Sequence, residues 1–259
     1  MSTVISSITR QGAFEPFELQ VARGQIQGHR NVTIFGFNPD VDTTQVSVWP
    51  LPSLITFPAS AIQMTVSSTS ANDTSAGTGA RTVVVQGLDA NYNEVTETVT
   101  LNGQTAVTMA ASLLRVNYAY VATAGSGNSA AGDIYIGTGT VTAGVPATTY
   151  DIIKFDYNNT TTGSYTIPAG YTGYVSQGLF SSGQSGGSNQ VQGRLLTRGT
   201  NNIRMTAALT TLNNGVANYV FEYPLAVPEK TTIEATAIGS SSNNACSSMF
   251  ILVLVKKGP

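Results

Sequence analysis

Side chains able to do acid–base or covalent chemistry are few in this chain and poorly grouped. There is one histidine, His29, with no nearby serine or carboxylate at a spacing that nominates a triad. There is one cysteine, Cys246, set among Ser, Asn and Ala with no basic neighbour to draw out a thiolate. It reads as a small buried residue near the C-terminal strand, and it cannot close an intrachain disulfide. A single His and a single Cys do not make a metal site of the usual kind. Glycoside hydrolysis needs two carboxyl groups facing across a groove. The candidates Asp133, Asp151, Asp156, Glu222 and Glu234 fall on predicted strands or their ends. No spacing pairs any two of them, and they read as solvated strand-end charges.

Asp89-x-Asn91-x-Asn93-Glu94 sets oxygen ligands at alternate positions, as a calcium loop does, but lacks that loop's glycine and distant bidentate glutamate. Asx residues closing a hairpin turn account for it. Gly77-x-Gly79 precedes a strand rather than a helix, so it reads as a flexible loop and not a phosphate cradle. Trp49 fits a strand end at a domain edge or subunit contact better than a sugar platform. Tyr165, Tyr171 and Tyr174 suit core and interface positions better than a carbohydrate site. The expectation is therefore no catalytic, cofactor-binding or metal-ligating residues, no cofactor and no enzyme activity.

Composition points the same way. Of 259 residues only 10% are charged while 41% are hydrophobic; ordinary soluble domains carry about 25% charge. The surface must be polar through hydroxyls, amides and backbone, which suits sheets with tight turns and a chain packed against neighbours, where charges are costly to desolvate. Net charge is −2 with 12 Lys and Arg together, too few for a nucleic-acid footprint. The longest apolar run, Met249 to Val255, is strand length rather than a membrane span. The N-terminus lacks a charged start followed by an apolar core, so no secretory leader is expected.

The elements that would position these residues are strands. Residues 1–30 read as an arm carrying Phe14, Phe17 and Leu19, either reaching onto a neighbouring subunit or partly ordered. Strands are predicted at 31–37, 45–49 and 62–67, then a surface loop from Ser68 to Ala80. Residues 81–109 read as a three-stranded meander, turning at Asp89–Glu94 and at Asn102-Gly103. Ala106 to Leu114 has room for one short turn of helix. Strands at 113–122 and 132–137 follow, and a polar stretch near 140–160 marks a domain boundary. About seven strands lie beyond it, the size of one β-sandwich. The fold class is all-β: an arm (1–30), an N-terminal β-sandwich (31–147), immunoglobulin-like or jelly-roll, and a C-terminal jelly-roll β-sandwich (148–259).

The stretch DTSAGTGARTVVVQGLDANYNEVTETVTLNGQTAV, residues 73–107, resembles a module of structural proteins of tailed phages, marine ones especially. YTIPAGYTGYV (165–175), followed by VPEKTTIEATA (227–237), resembles the opening and late strands of jelly-roll domains in phage virion proteins. The resemblance implies a virion structural protein that forms a homotrimer. It implies a capsid decoration (cement) or head-fibre role on the major capsid protein, at the capsid surface, after synthesis in the host cytoplasm. The family pattern carries no catalytic residues, and charge and apolar-run length lead to the expectation of no nucleic-acid and no membrane partner. The second expectation is a head- or tail-associated adhesion protein that binds a host glycan. No collagen period or heptad is present, which favours a compact knob over a fibre shaft.

Overall fold

The structure, a computed structural model, describes residues 15–184 and 190–258. In chain order the elements are α1 (Phe17–Ala22), β1 (His29–Val41), β2 (Val46–Ser47), β3 (Ile62–Ser68), β4 (Ala80–Leu88), β5 (Glu94–Thr100), β6 (Val107–Leu113), β7 (Arg115–Ala124) and β8 (Ile134–Thr142). They continue with β9 (Val145–Ile153), β10 (Ser164–Thr166), β11 (Tyr171–Gln184), β12 (Val191–Arg198), β13 (Arg204–Leu212), β14 (Val216–Val227), β15 (Thr232–Gly239) and β16 (Asn244–Lys256). The chain is all-β, in small antiparallel sheets.

Eight strands pair as one long hairpin. β1 pairs with β16, β10 with β15, β11 with β14 and β12 with β13. The hairpin is rolled over on itself, because β16 also pairs with β11 and β15 with β12. Two sheets result, ordered β1-β16-β11-β14 and β10-β15-β12-β13, with β2 added beside β15. Their inner faces share one core, in which Ile34, Val175, Phe180, Phe250 and Leu252 meet Tyr165, Leu195, Ile233 and Ala235. Phe180 and Phe250 touch edge to face at 5.5 Å, a favoured aromatic geometry. Gly36 lets β1 pass close beneath the chain: a Cβ there would lie 2.4 Å from the Val48 carbonyl and 2.7 Å from Gly163 Cα.

The remaining strands, β3 to β9, sit in the crossover between β1 and β10. They form sheets β6-β3-β8-β9 and β5-β4-β7 around a separate core that includes Met64, Val66, Val83, Val85, Met109, Ile134 and Ile136. A third cluster, Trp49, Ile55, Tyr135 and Ile152, joins this unit to the segment after β2.

Several sequence expectations need correction. The unit predicted as 31–147 loses its first strand: β1 belongs to the later sheets, because its partner is β16. The boundary at 147/148 falls inside β9, whose inward residues complete the core of the inserted unit. The inserted strand order is not the immunoglobulin one, in which the first and second strands pair; here β3 pairs with β6 and β8. The meander breaks at Asn102-Gly103. The turn is present, with Gly103 at φ +59°, but it is a corner. β6 crosses to pair with β3, so that Met109 and Leu113 close the core from the other side. β6 also occupies the stretch given a turn of helix. Residues 1–14 of the predicted arm lie outside the described residues; the rest of it supplies α1 and the start of β1.

The loop at 68–80 is not purely superficial. Asp73 is fully buried and accepts four hydrogen bonds: from Ala80 N (2.7 Å) and Ala131 N (2.8 Å) on Oδ1, and from Gly132 N (3.0 Å) and the Ser68 hydroxyl (2.5 Å) on Oδ2. A carboxylate, accepting at both oxygens, satisfies donors from two loops at once. Asp73→Asn turns one acceptor into a donor facing donors. We expect it to cost about 2–4 kcal/mol, read as a lower urea midpoint at unchanged m-value; an unchanged midpoint would refute this role.

Candidate assembly face

The outer faces of the two rolled-up sheets differ. On β10-β15-β12 the face is polar and is covered by the chain itself, while β13 at the edge stays exposed. Glu234, fully buried, accepts from the Ser47 hydroxyl at 2.7 Å and from Arg204 Nε at 3.3 Å, with Arg198 Nη2 3.6 Å away. The Arg198 and Arg115 guanidiniums both lie over the Phe57 ring, at 4.1 and 4.2 Å, and Arg115 and Lys230 extend the stack to Tyr92. Burial pulls Arg198 down to about 10. These contacts join the inserted unit to the rolled sheets.

On β1-β16-β11-β14 the outer face mixes apolar side chains with uncharged polar ones and is not covered by a sheet. The register gives four rows across it: Asn31, Val253, Tyr174, Ala226; Thr33, Ile251, Gln177, Val220; Phe35, Met249, Leu179, Asn218; and Phe37, Ser247, Ser181, Val216. None of these is charged. β16 explains the pattern. Its inward side chains, Cys246, Phe250, Leu252 and Leu254, are buried, while Met249, Ile251 and Val253 between them are equally apolar and only partly covered. An antiparallel strand with one wet face alternates; this one is apolar on both. Towards the β14 edge the face is open, with Val220 74% and Val216 66% exposed. The same edge carries Tyr223, and Met205 and Leu209 on β13, all exposed. The four rows span on the order of 400 Å² from strand spacing and rise.

Towards the β1 edge the inserted unit overhangs this face. Gln86 and Tyr118, paired across β4 and β7, face Asn31, Thr33 and Phe35 over a cleft of about 410 Å³. Arg30 bonds Glu94 at its end. The Asn117 amide exchanges two hydrogen bonds with the Thr166 backbone, at 3.0 and 2.9 Å. Asp151, fully buried beside the cleft floor, accepts from the Thr162 hydroxyl at 2.6 Å and from Ile152 N at 2.9 Å. Burial pushes its carboxyl up to about 7, against those hydrogen bonds.

The residues singled out in the sequence do not converge. His29 Nδ1 lies 3.1 Å from the Gln27 carbonyl, and Cys246 is buried with its thiol pushed up to about 12. Asp133 pairs with Lys154 and Glu234 with the arginines, while Asp156 and Glu222 are exposed. Asp89 Oδ1 accepts from Asn91 N and Asn93 N of its own turn, at 2.8 and 2.9 Å. Trp49 is buried at the joint between units, its indole N–H on the Ser53 carbonyl at 2.8 Å. Tyr165 lines the cleft, and Tyr171 lies under Arg30 at 5.0 Å. Phe57, Arg115 and Arg198 had no local signal, because three distant segments supply them. The unbroken run Met249–Val255 did signal a strand apolar on both faces.

No protein-family model matches the sequence, and no curated protein matches it. Among solved structures, the VP2 subviral particle of infectious bursal disease virus is similar over 89% of this chain and 71% of that chain, at 11% identity and a TM-score of 0.23. The PBSX exported protein XepA is similar over 85% of this chain and 84% of that chain, at 10% identity and a TM-score of 0.20.

Asp151 makes stability depend on pH. Below pH 3.8 the group is protonated folded and unfolded, and burial carries no penalty. Between 3.8 and about 7 the unfolded chain ionises while the folded one holds its proton, so stability falls as pH rises; above about 7 the loss is complete. The full effect is on the order of 4 kcal/mol. Asp151→Asn removes the titration. Its urea midpoint should rise relative to wild type from pH 4 to pH 8; parallel curves would contradict the assignment.

Proposed function

We propose that this chain is a structural protein of a tailed-bacteriophage virion: a jelly roll carrying a second β-sandwich in its first crossover. It assembles as a homotrimer and decorates the outer capsid on the major capsid protein. The jelly-roll assignment draws support from the strand order, in which first pairs with last and so inward, the double Greek-key pattern. The virion assignment draws support from the resemblance of residues 73–107, 165–175 and 227–237 to phage structural modules.

The observation that carries the assembly role is the set of four charge-free rows on the outer face of β1-β16-β11-β14. Rows without charge select no charged partner and are compatible with a second copy of themselves. The open β14 side, with Val216, Val220 and Tyr223, is where copies meet. A trimer seated where capsomers join holds several neighbours at once, so modest individual contacts sum to firm attachment. Low charge keeps the desolvation cost of those contacts small. In this role the chain does no chemistry and uses no cofactor.

Sedimentation velocity of the full chain at micromolar concentration should give a trimer. Val220→Asp, exposed enough to leave the fold intact, should shift it to monomer by placing an unpaired charge in the interface. A stable wild-type monomer, or a trimer indifferent to the substitution, would remove the assembly role. Immunogold labelling of purified particles then separates positions: label over the head supports decoration, and label confined to the tail excludes it.

A further inference from the structure

We infer that the cleft between β1 and the β4–β7 face binds a neutral oligosaccharide against Phe35 and Tyr118. This inference does not rest on the virion assignment. The cleft, about 410 Å³, falls in the range of small-ligand sites. It is held open by contacts independent of any ligand: the Arg30–Glu94 pair, the double hydrogen bond between Asn117 and the Thr166 backbone, and the buried Trp49 joint. Such preorganisation removes the ordering cost of binding.

The lining chemistry sets the ligand class. Phe35 is 55% and Tyr118 39% exposed, one on each wall. An aromatic ring left half wet offers an apolar platform, and the C–H faces of a pyranose ring fit it. Around the rings stand amides and hydroxyls: Asn31 and Thr33 from β1, Gln86 from β4 and Asn159 from the floor. Among the described residues, the Asn31 and Gln86 amides have no hydrogen-bond partner, so donors and acceptors remain for vicinal hydroxyls. The charges at the cleft, Arg30 and Glu94, neutralise each other. A phosphorylated or sulfated ligand would find no spare cation; a neutral, hydroxyl-rich one meets every group present. The cleft lies at the β1 edge, across the sheet from the β14 side, so a copy docked on β14 leaves it open.

The test is saturation-transfer NMR and calorimetry on the full chain with maltohexaose, cellohexaose, laminarihexaose and chitohexaose, with heparin as the charged comparator. Saturable binding of at least one neutral hexasaccharide is expected. It should weaken roughly tenfold or more in Phe35→Ala and in Tyr118→Ala, as loss of an aromatic contact implies. Tyr223→Ala, at the opposite edge, should leave it unchanged, and thermal unfolding should show all three variants folded. Binding of heparin alone, no binding to any of the four neutral sugars, or binding that survives both cleft substitutions would overturn the inference.

Discussion

The pairing of β1 with β16 is the constraint on which the rest depends. It runs from His29 opposite Val255 to Val41 opposite Asn244, so it joins the two ends of the described chain. Closing a loop of that length costs entropy that grows only slowly with length. A long ladder, with Ile34 and Phe250 buried along it, offsets that cost. Because β1 is held there, the inserted unit is anchored at both of its ends. The cleft, the joint at Trp49 and the stack on Phe57 all require that double anchorage.

The two outer faces divide the electrostatics of the molecule. The few charges are drawn to places where the chain folds against itself: Glu234 with Arg198 and Arg204, Arg30 with Glu94, Glu229 with Lys257. Buried or half-buried pairs of this kind fix a geometry more than they add stability. The four paired rows of the β1-β16-β11-β14 face are left with none, and Glu222, exposed beyond Val220 on β14, stands outside them. The low charge content of the composition is therefore not spread evenly; it marks one surface.

Much of this was legible in the sequence, for physical reasons that differ by element. The period-2 alternation of Val95–Leu101 and the Asx-rich turn before it define β5 and its hairpin with β4, because that pairing is local. The hairpin of β12 with β13 is local in the same way. What was not legible is pairing at long range. Nothing in His29–Val41 states that its partner is more than 200 residues away, so β1 was assigned to the wrong unit. The corner at Gly103 reads like any hairpin turn until the core decides where β6 goes. The acidic residues read as solvated, yet Asp151 and Glu234 are buried, since their partners Thr162, Ser47 and Arg204 arrive from other segments. The cleft is harder still: its walls are residues ordinary in both β1 and β7, and only their juxtaposition makes a site.

The place of the inserted unit in the first crossover also sets an order of events during synthesis. Its core is complete once Ile153 has emerged, when the strand that β1 needs has not yet been translated. At elongation rates of about 5–20 residues per second, the remaining hundred or so residues take roughly 5–20 s. Through that interval the insert can fold while β1 waits on the ribosome with Ile34, Phe35 and Phe37 unpaired. Non-local ladders form slowly in general, because loop closure precedes the contacts that reward it. The insert thus shortens the chain that β1 must search across: once folded, it is a rigid body that holds the ends of β1 and β10 near each other and leaves the closing strand a smaller volume to explore.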